Sequence, residues 1–199
     1  MQTAMVQSVV REPVVFEHAL ETLLAAARPL APSTLAALER RGLSPSRPLQ
    51  AAYPGAMWPE VIRLVATAMD THGDTEAAEY ALGQRFAECL RESKLGAAIH
   101  SLGRVVGAER MLLRMSRNIR TTNNFLDAVV TPRSEDTGWE LLIRPAAEFA
   151  RTPGLQAEPP HFVRGMLTTV LQQAGAPQVQ VDLLHHDPVR ATTTFRVML

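Results

Sequence analysis

The chain has 199 residues, and its 20 Lys+Arg balance 20 Asp+Glu to a formal net charge of zero. A hydrophobic share of 46% excludes a disordered chain, and this length can bury a real core. Neutrality argues against a nucleic-acid or anionic-membrane partner, because both normally need a basic excess to displace counterions.

Residues 1–15 are expected to be flexible; with Arg11, Glu12 and Pro13 they lack the apolar stretch and cleavage site of a signal peptide. Phe16 to Ala27 predicts the first helix, with Phe16, Ala19, Leu20, Leu23 and Leu24 on one face. Pro29 and Pro32 stop it. Ser33 is then expected to cap a short helix from Thr34 to Arg41, ended by Gly42. Residues 43–59 carry five Pro/Gly and are expected to form an ordered loop anchored by Leu43, Leu49, Tyr53 and Trp58.

Glu60 to Met69 predicts a helix with Val61, Ile62, Val65 and Met69 in a stripe. Thr75 is expected to cap the next, which runs to about Ser93 with Leu82, Phe86, Cys89 and Leu90 inward. A further helical run starts at Leu95, bends near Gly103 and Gly107, and resumes from Ala108 to about Ile119. After Arg120 the period changes to two. Asn124–Thr131 and Trp139–Arg144 read as strands joined by a polar loop, Pro132–Gly138. A Pro/Gly-containing crossover over 145–160 leads to a helix from Phe162 to Ala174, stopped by Gly175. Two closing strands follow, around Val179–Leu183 and Phe195–Leu199, with His185, His186, Asp187 and Pro188 in the turn between them. The expected fold is a single α+β domain over 1–199: 16–120 mainly helical, 121–199 in the order β-β-α-β-β, and helices packed on an antiparallel sheet. No run nears the ~20 apolar residues of a membrane span, so a cytoplasmic protein is expected.

The densest polar stretch runs from Arg114 to Asn124. Arg114, Arg117, Asn118, Arg120, Asn123 and Asn124 are the candidate ligand- or partner-binding residues. Arginines and amides there can converge on an anion or acidic segment. The competing reading is structural: cations complement a helix C-terminus, and Asn and Thr satisfy loose carbonyls. His185 and His186 are adjacent in a turn, where alternation separates them. His161 or Asp187 would complete a metal site only if the fold assembled them, and no metal is expected. Cys89 is expected to pack as a small hydrophobe and His100 to sit in a helix without a supporting haem motif. No phosphate loop, dinucleotide fingerprint, H-E-x-x-H or nucleophile elbow occurs, so no catalytic residue is assigned.

Several segments carry a resemblance. Phe16-Glu17-His18, Ala52-Tyr53-Pro54 followed by Trp58, Leu82-Gly83-Gln84-Arg85-Phe86, the run Arg114–Phe125 and Val163-Arg164-Gly165-Met166-Leu167 are similar to a family of unknown function, about 200 residues long, expanded in myxobacteria. The similarity covers nearly the whole chain. It implies no activity. Its element order resembles the haem-NO-binding, vinyl-reductase and TRAPP-like fold group, whose members hold small molecules between helices and sheet or serve as assembly subunits. The chain lacks the Tyr-x-Ser-x-Arg signature of a haem-NO sensor, and the resemblance places His100 at an ordinary aliphatic position. No cofactor is therefore expected, and haem is argued against.

The leading expectation is a non-enzymatic regulatory or sensory module that holds an apolar or amphipathic ligand in a helix–sheet pocket, with Arg117–Asn124 at the pocket mouth or partner surface. The alternatives are a TRAPP-like interaction subunit, pairing with a protein partner or as a homodimer, and an enzyme whose site is built from distant residues. A buried, strongly shifted titratable group in a cleft would favour the enzyme.

Overall fold

Period-3.6 patterning fills the first two-thirds of the chain and period-two patterning the rest, and the elements follow that division. The computed structural model describes residues 12–44, 47–70, 72–92, 105–134 and 137–199. Strand β1 (Val14–Phe16) leads into helix α1 (Glu17–Ala26), which buries Ala19, Leu20, Leu23 and Leu24. Val14 and Val15, assigned from sequence to a flexible lead-in, belong instead to β1, and Val15 is fully buried. Helix α2 (Pro32–Glu39) begins two residues earlier than expected, with Ala31 rather than Ser33 at its cap. Proline suits that first position because its missing N–H would have had no helical partner.

The loop expected over 43–59 holds two elements. Strand β2 (Ala52–Pro54) pairs antiparallel with β1, Val15 opposite Tyr53. Helix α3 then starts at Met57 and runs to Met69, so Pro59 lies inside its first turn, where no donor is lost. Helix α4 (Thr75–Glu92) is capped by Asp74, whose carboxylate accepts the Ala77 N–H at 3.0 Å. The helical start expected at Leu95 lies outside the described residues. Helices α5 (Ala108–Leu113) and α6 (Met115–Thr122) meet at Arg114, so the run expected to be continuous breaks there.

The main sheet has the antiparallel order β3-β4-β6-β5, from strands β3 (Leu126–Pro132), β4 (Trp139–Pro145), β5 (Gln180–Asp187) and β6 (Thr192–Met198). Leu141 and Ile143 of β4, with Thr193, Phe195 and Val197 of β6, turn one face into the core. Between β4 and β5 the chain forms a 3-10 turn (Ala147–Phe149) and helix α7 (Pro160–Gln173), which packs along α4. Gly175 ends α7 with φ 104°, a left-handed position that favours glycine. His185, His186 and Asp187, assigned from sequence to a turn, lie in β5 beyond a bulge between Leu183 and His185; the turn is 188–191. The fold is α+β, as the patterning predicts, with Trp58, Phe86, Phe125, Phe162 and Phe195 fully buried at its centre. Among the described residues no helix is long and apolar enough to cross a membrane.

Candidate functional site

Helices α3, α4, α6 and α7 bring Trp58, Phe86, Met115 and Phe162 round one apolar cavity of about 80 Å³, closed on the sheet side by Ile143. Its aromatic wall follows from helical spacing that puts one large ring on each of three helices. Trp58, Phe86 and Phe162 contact one another edge to face, with centroids 5.4–6.1 Å apart. Two thioether-bearing residues, Met115 and Met166, add adaptable surface.

The polar groups at the cavity are few. Asn118, Thr121 and Thr122 of α6 line it, and Glu158 enters from the loop before α7. The Thr121 and Thr122 hydroxyls donate to the carbonyls of Asn118 and Ile119, at 2.7 and 2.9 Å. The Asn118 amide donates to the Met111 sulfur at 3.6 Å. Glu158 accepts the Trp58 indole N–H. Glu158 is half-buried, and desolvation of its carboxyl pushes its pKa up to about 7 despite the indole bond, which acts the other way. Sequence reasoning missed this residue, because an acid between Ala157 and Pro159 reads as part of a solvated crossover.

The six sequence-selected residues do not converge on one spot. Asn118 alone of the six lines the cavity. Arg114 is half-buried at the α5–α6 junction, and Arg117 is exposed. Arg120 lies 4.0 Å from Asp127 and 3.6 Å from Glu148. Asn123 is fully buried, and its carbonyl oxygen accepts the N–H groups of Phe125 and Leu126 at 3.1 and 2.8 Å. Asn124 ties the main sheet's entry to β1: its side chain accepts from Val14 N–H at 2.7 Å and donates to Glu12 O at 2.9 Å.

A second polar group joins α3 to the loop before α7, and α4 to α7. Arg63 donates to the Gln156 amide oxygen at 2.9 Å, and His161 lies 3.3 Å from Glu76. Burial pushes Glu79 up and both His161 and His186 down. Among the described residues no three His, Cys, Asp or Glu side chains stand close enough to hold a metal. Cys89 is half-buried beside the core, and burial raises its thiol pKa.

Solved structures share this fold. A structure concerned with tuning haem redox potential through porphyrin distortion matches with a TM-score of 0.58 at 12% identity, covering 92% of this chain and 97% of its own. An oxygen-binding H-NOX domain related to soluble guanylate cyclases gives 0.56 at 12%, covering 91% and 92%. An H-NOX protein from S. oneidensis in the Fe(II)NO state gives 0.56 at 11%, covering 92% and 96%. Among curated proteins none matches the chain.

These matches overturn the sequence argument against haem, because the shared fold is one that carries haem in those proteins. The described residues test the fit from the other side. Two thioethers but no imidazole line the cavity, and about 80 Å³ is too small for a porphyrin. His100 lies outside the described residues. No step is therefore derived through haem. The sequence pattern of one family spans residues 13–198, and the chain belongs to it: DUF2378, proteins of unknown function.

Proposed function

We propose that the chain is a sensory module that binds a small apolar or amphipathic molecule in the helix–sheet cavity. The observation that carries this reading is the cavity's make-up: a wall of three aromatic rings and two methionines, with a single carboxyl and one α6 amide among its polar groups. Apolar walls supply affinity and a few placed polar groups supply orientation. The H-NOX-like fold supports the sensory part. Arg117 and Arg120, on the helix that lines the cavity, are proposed as the surface that passes the bound state to a partner.

The test is native mass spectrometry of the purified chain, followed by titration with ferric haem read by visible absorption. A retained small-molecule mass supports the module and names its ligand class, whereas a haem spectrum that saturates at one per chain overturns the small-ligand reading, because about 80 Å³ does not admit a porphyrin. Replacing Met166 with Trp, which fills the cavity, is expected to abolish the retained mass. A bare chain that takes up none of a panel of small apolar compounds also overturns the reading.

A second reading, an enzyme acting through Glu158, has one observation in its favour: a carboxyl near neutrality in a cleft suits proton transfer. Among the described lining residues no second ionisable group accompanies it, so Glu158 would have to act alone.

A further inference from the structure

Glu158 is the sole ionisable side chain on the described lining of the cavity. An ionised carboxylate offers about four lone-pair positions, and the Trp58 indole N–H fills one. Among the described lining residues nothing else complements it. The Asn118 amide is bonded to Met111, and the Thr121 and Thr122 hydroxyls donate to helix carbonyls. Arg63, which reaches the same loop, donates instead to Gln156 and to the Ala157 carbonyl. Among the described residues no cation is paired with Glu158.

A carboxylate half-buried against apolar walls without a countercharge is costly, and an ammonium group offsets that cost by bringing both charge and three donors. An alcohol would bring one donor and leave the charge standing. The walls favour the same head group. Trp58, Phe86 and Phe162 meet at the cavity, and ring faces attract cations within about 6 Å of their centroids. Size limits the remainder of the ligand. About 80 Å³ is well below the roughly 150 Å³ of an engineered apolar cavity that admits benzene, so a short chain fits better than a ring.

We propose that Glu158, held by the Trp58 indole, anchors the ammonium head of a small aliphatic amine whose hydrocarbon lies against Phe86, Phe162 and Met166. This rests on the ligand-binding reading above and names its ligand class.

The test uses the full chain and three matched probes, ethylamine, ethanol and acetate, titrated by calorimetry at pH 8. Ethylamine is expected to bind at least tenfold tighter than ethanol, with acetate weakest. In Glu158→Gln the amine preference should vanish while ethanol affinity stays within twofold. Equal affinities for amine and alcohol in the native chain, or a preference that survives Glu158→Gln, would overturn the proposal. Should that variant fail to fold, the native chain still decides. Amine affinity should fall about tenfold per pH unit below about 7, where Glu158 takes up its proton, while ethanol affinity stays level. A level amine profile from pH 8 to pH 5.5 overturns the proposal. Ethanol binding without amine preference removes only the amine; failure of all three probes removes the ligand reading with it.

Discussion

Gly83 of α4 and Gly165 of α7 each press against the backbone of the other's helix. A methyl group built on Gly83 would collide with the Phe162 carbonyl and lie 2.9 Å from the Met166 nitrogen; one on Gly165 would collide with the Tyr80 carbonyl. The two glycines thus set how closely α4 and α7 approach, and with it the spacing of Phe86 and Phe162 at the cavity wall. Alanine normally stabilises a helix interior relative to glycine by about 0.5–1 kcal/mol. Here the sign should reverse. Gly83→Ala and Gly165→Ala are each expected to destabilise by about 1–3 kcal/mol, because rigid backbone cannot yield as a side-chain tip would. Denaturant midpoints measure it, and an unchanged or raised midpoint would show that the helices can separate freely.

Asn123 should be the least replaceable of the six sequence-selected residues. Its oxygen serves two backbone donors at the start of β3, and its amide donates to Ile119 O at 3.3 Å. Asn123→Ala strands buried donors, each at about 1–3 kcal/mol. Asn123→Asp keeps the acceptor and should lose less. Equal losses in thermal unfolding would mean that the acceptor is not what matters.

Arg117 and Arg120 should behave in the opposite way. Arg120's side chain is 44% exposed and its ion pairs with Asp127 and Glu148 are long, so they contribute about 0–1 kcal/mol at most. The double variant Arg117→Gln/Arg120→Gln is expected to melt within a few degrees of the native chain. If the surface serves a partner, a pull-down with that partner should weaken. A collapse in melting temperature would make the arginines structural.

Glu158 makes stability depend on pH. Its carboxyl pKa is raised from 4.5 in the open chain to about 7 in the fold. Below pH 4.5 both states hold the proton and burial is not penalised. Between 4.5 and about 7 only the unfolded chain releases it, so stability falls as pH rises, by on the order of 3 kcal/mol in total, and then levels off. Glu158→Gln should therefore exceed the native chain in stability at pH 8 by more than it does at pH 5. Urea titrations at the two values check this, and a difference that does not change with pH would remove the shift.

Helix-forming segments with a wide apolar stripe were legible from sequence: α1, α3, α4 and α7 lie within a few residues of their expected ends, as do β3 and β4. Three-residue strands were not. Val14–Phe16 and Ala52–Pro54 are too short to show a period, and they are defined by pairing with each other and, for β1, with Asn123. His185 and His186 looked like a turn because Asp187-Pro188 follows, yet the strand continues past its bulge to meet Thr193 and Thr194. A helix–sheet pocket was expected, but its lining residues escaped notice for a similar reason. Its rings were visible as core positions on separate helices, but nothing local links Trp58 to Glu158, a hundred residues away.

The bonds between Asn124 and the strand at Val14 span 110 residues. On a ribosome adding about 5–20 residues per second, β1 therefore waits several seconds or more after leaving the exit tunnel before its last partner is made. Until then Val15, which ends fully buried, has no completed sheet to cover it. Long-range closure of this kind is entropically costly and slow, so β1 is a strand that depends on protection during synthesis until the entry to β3 is made.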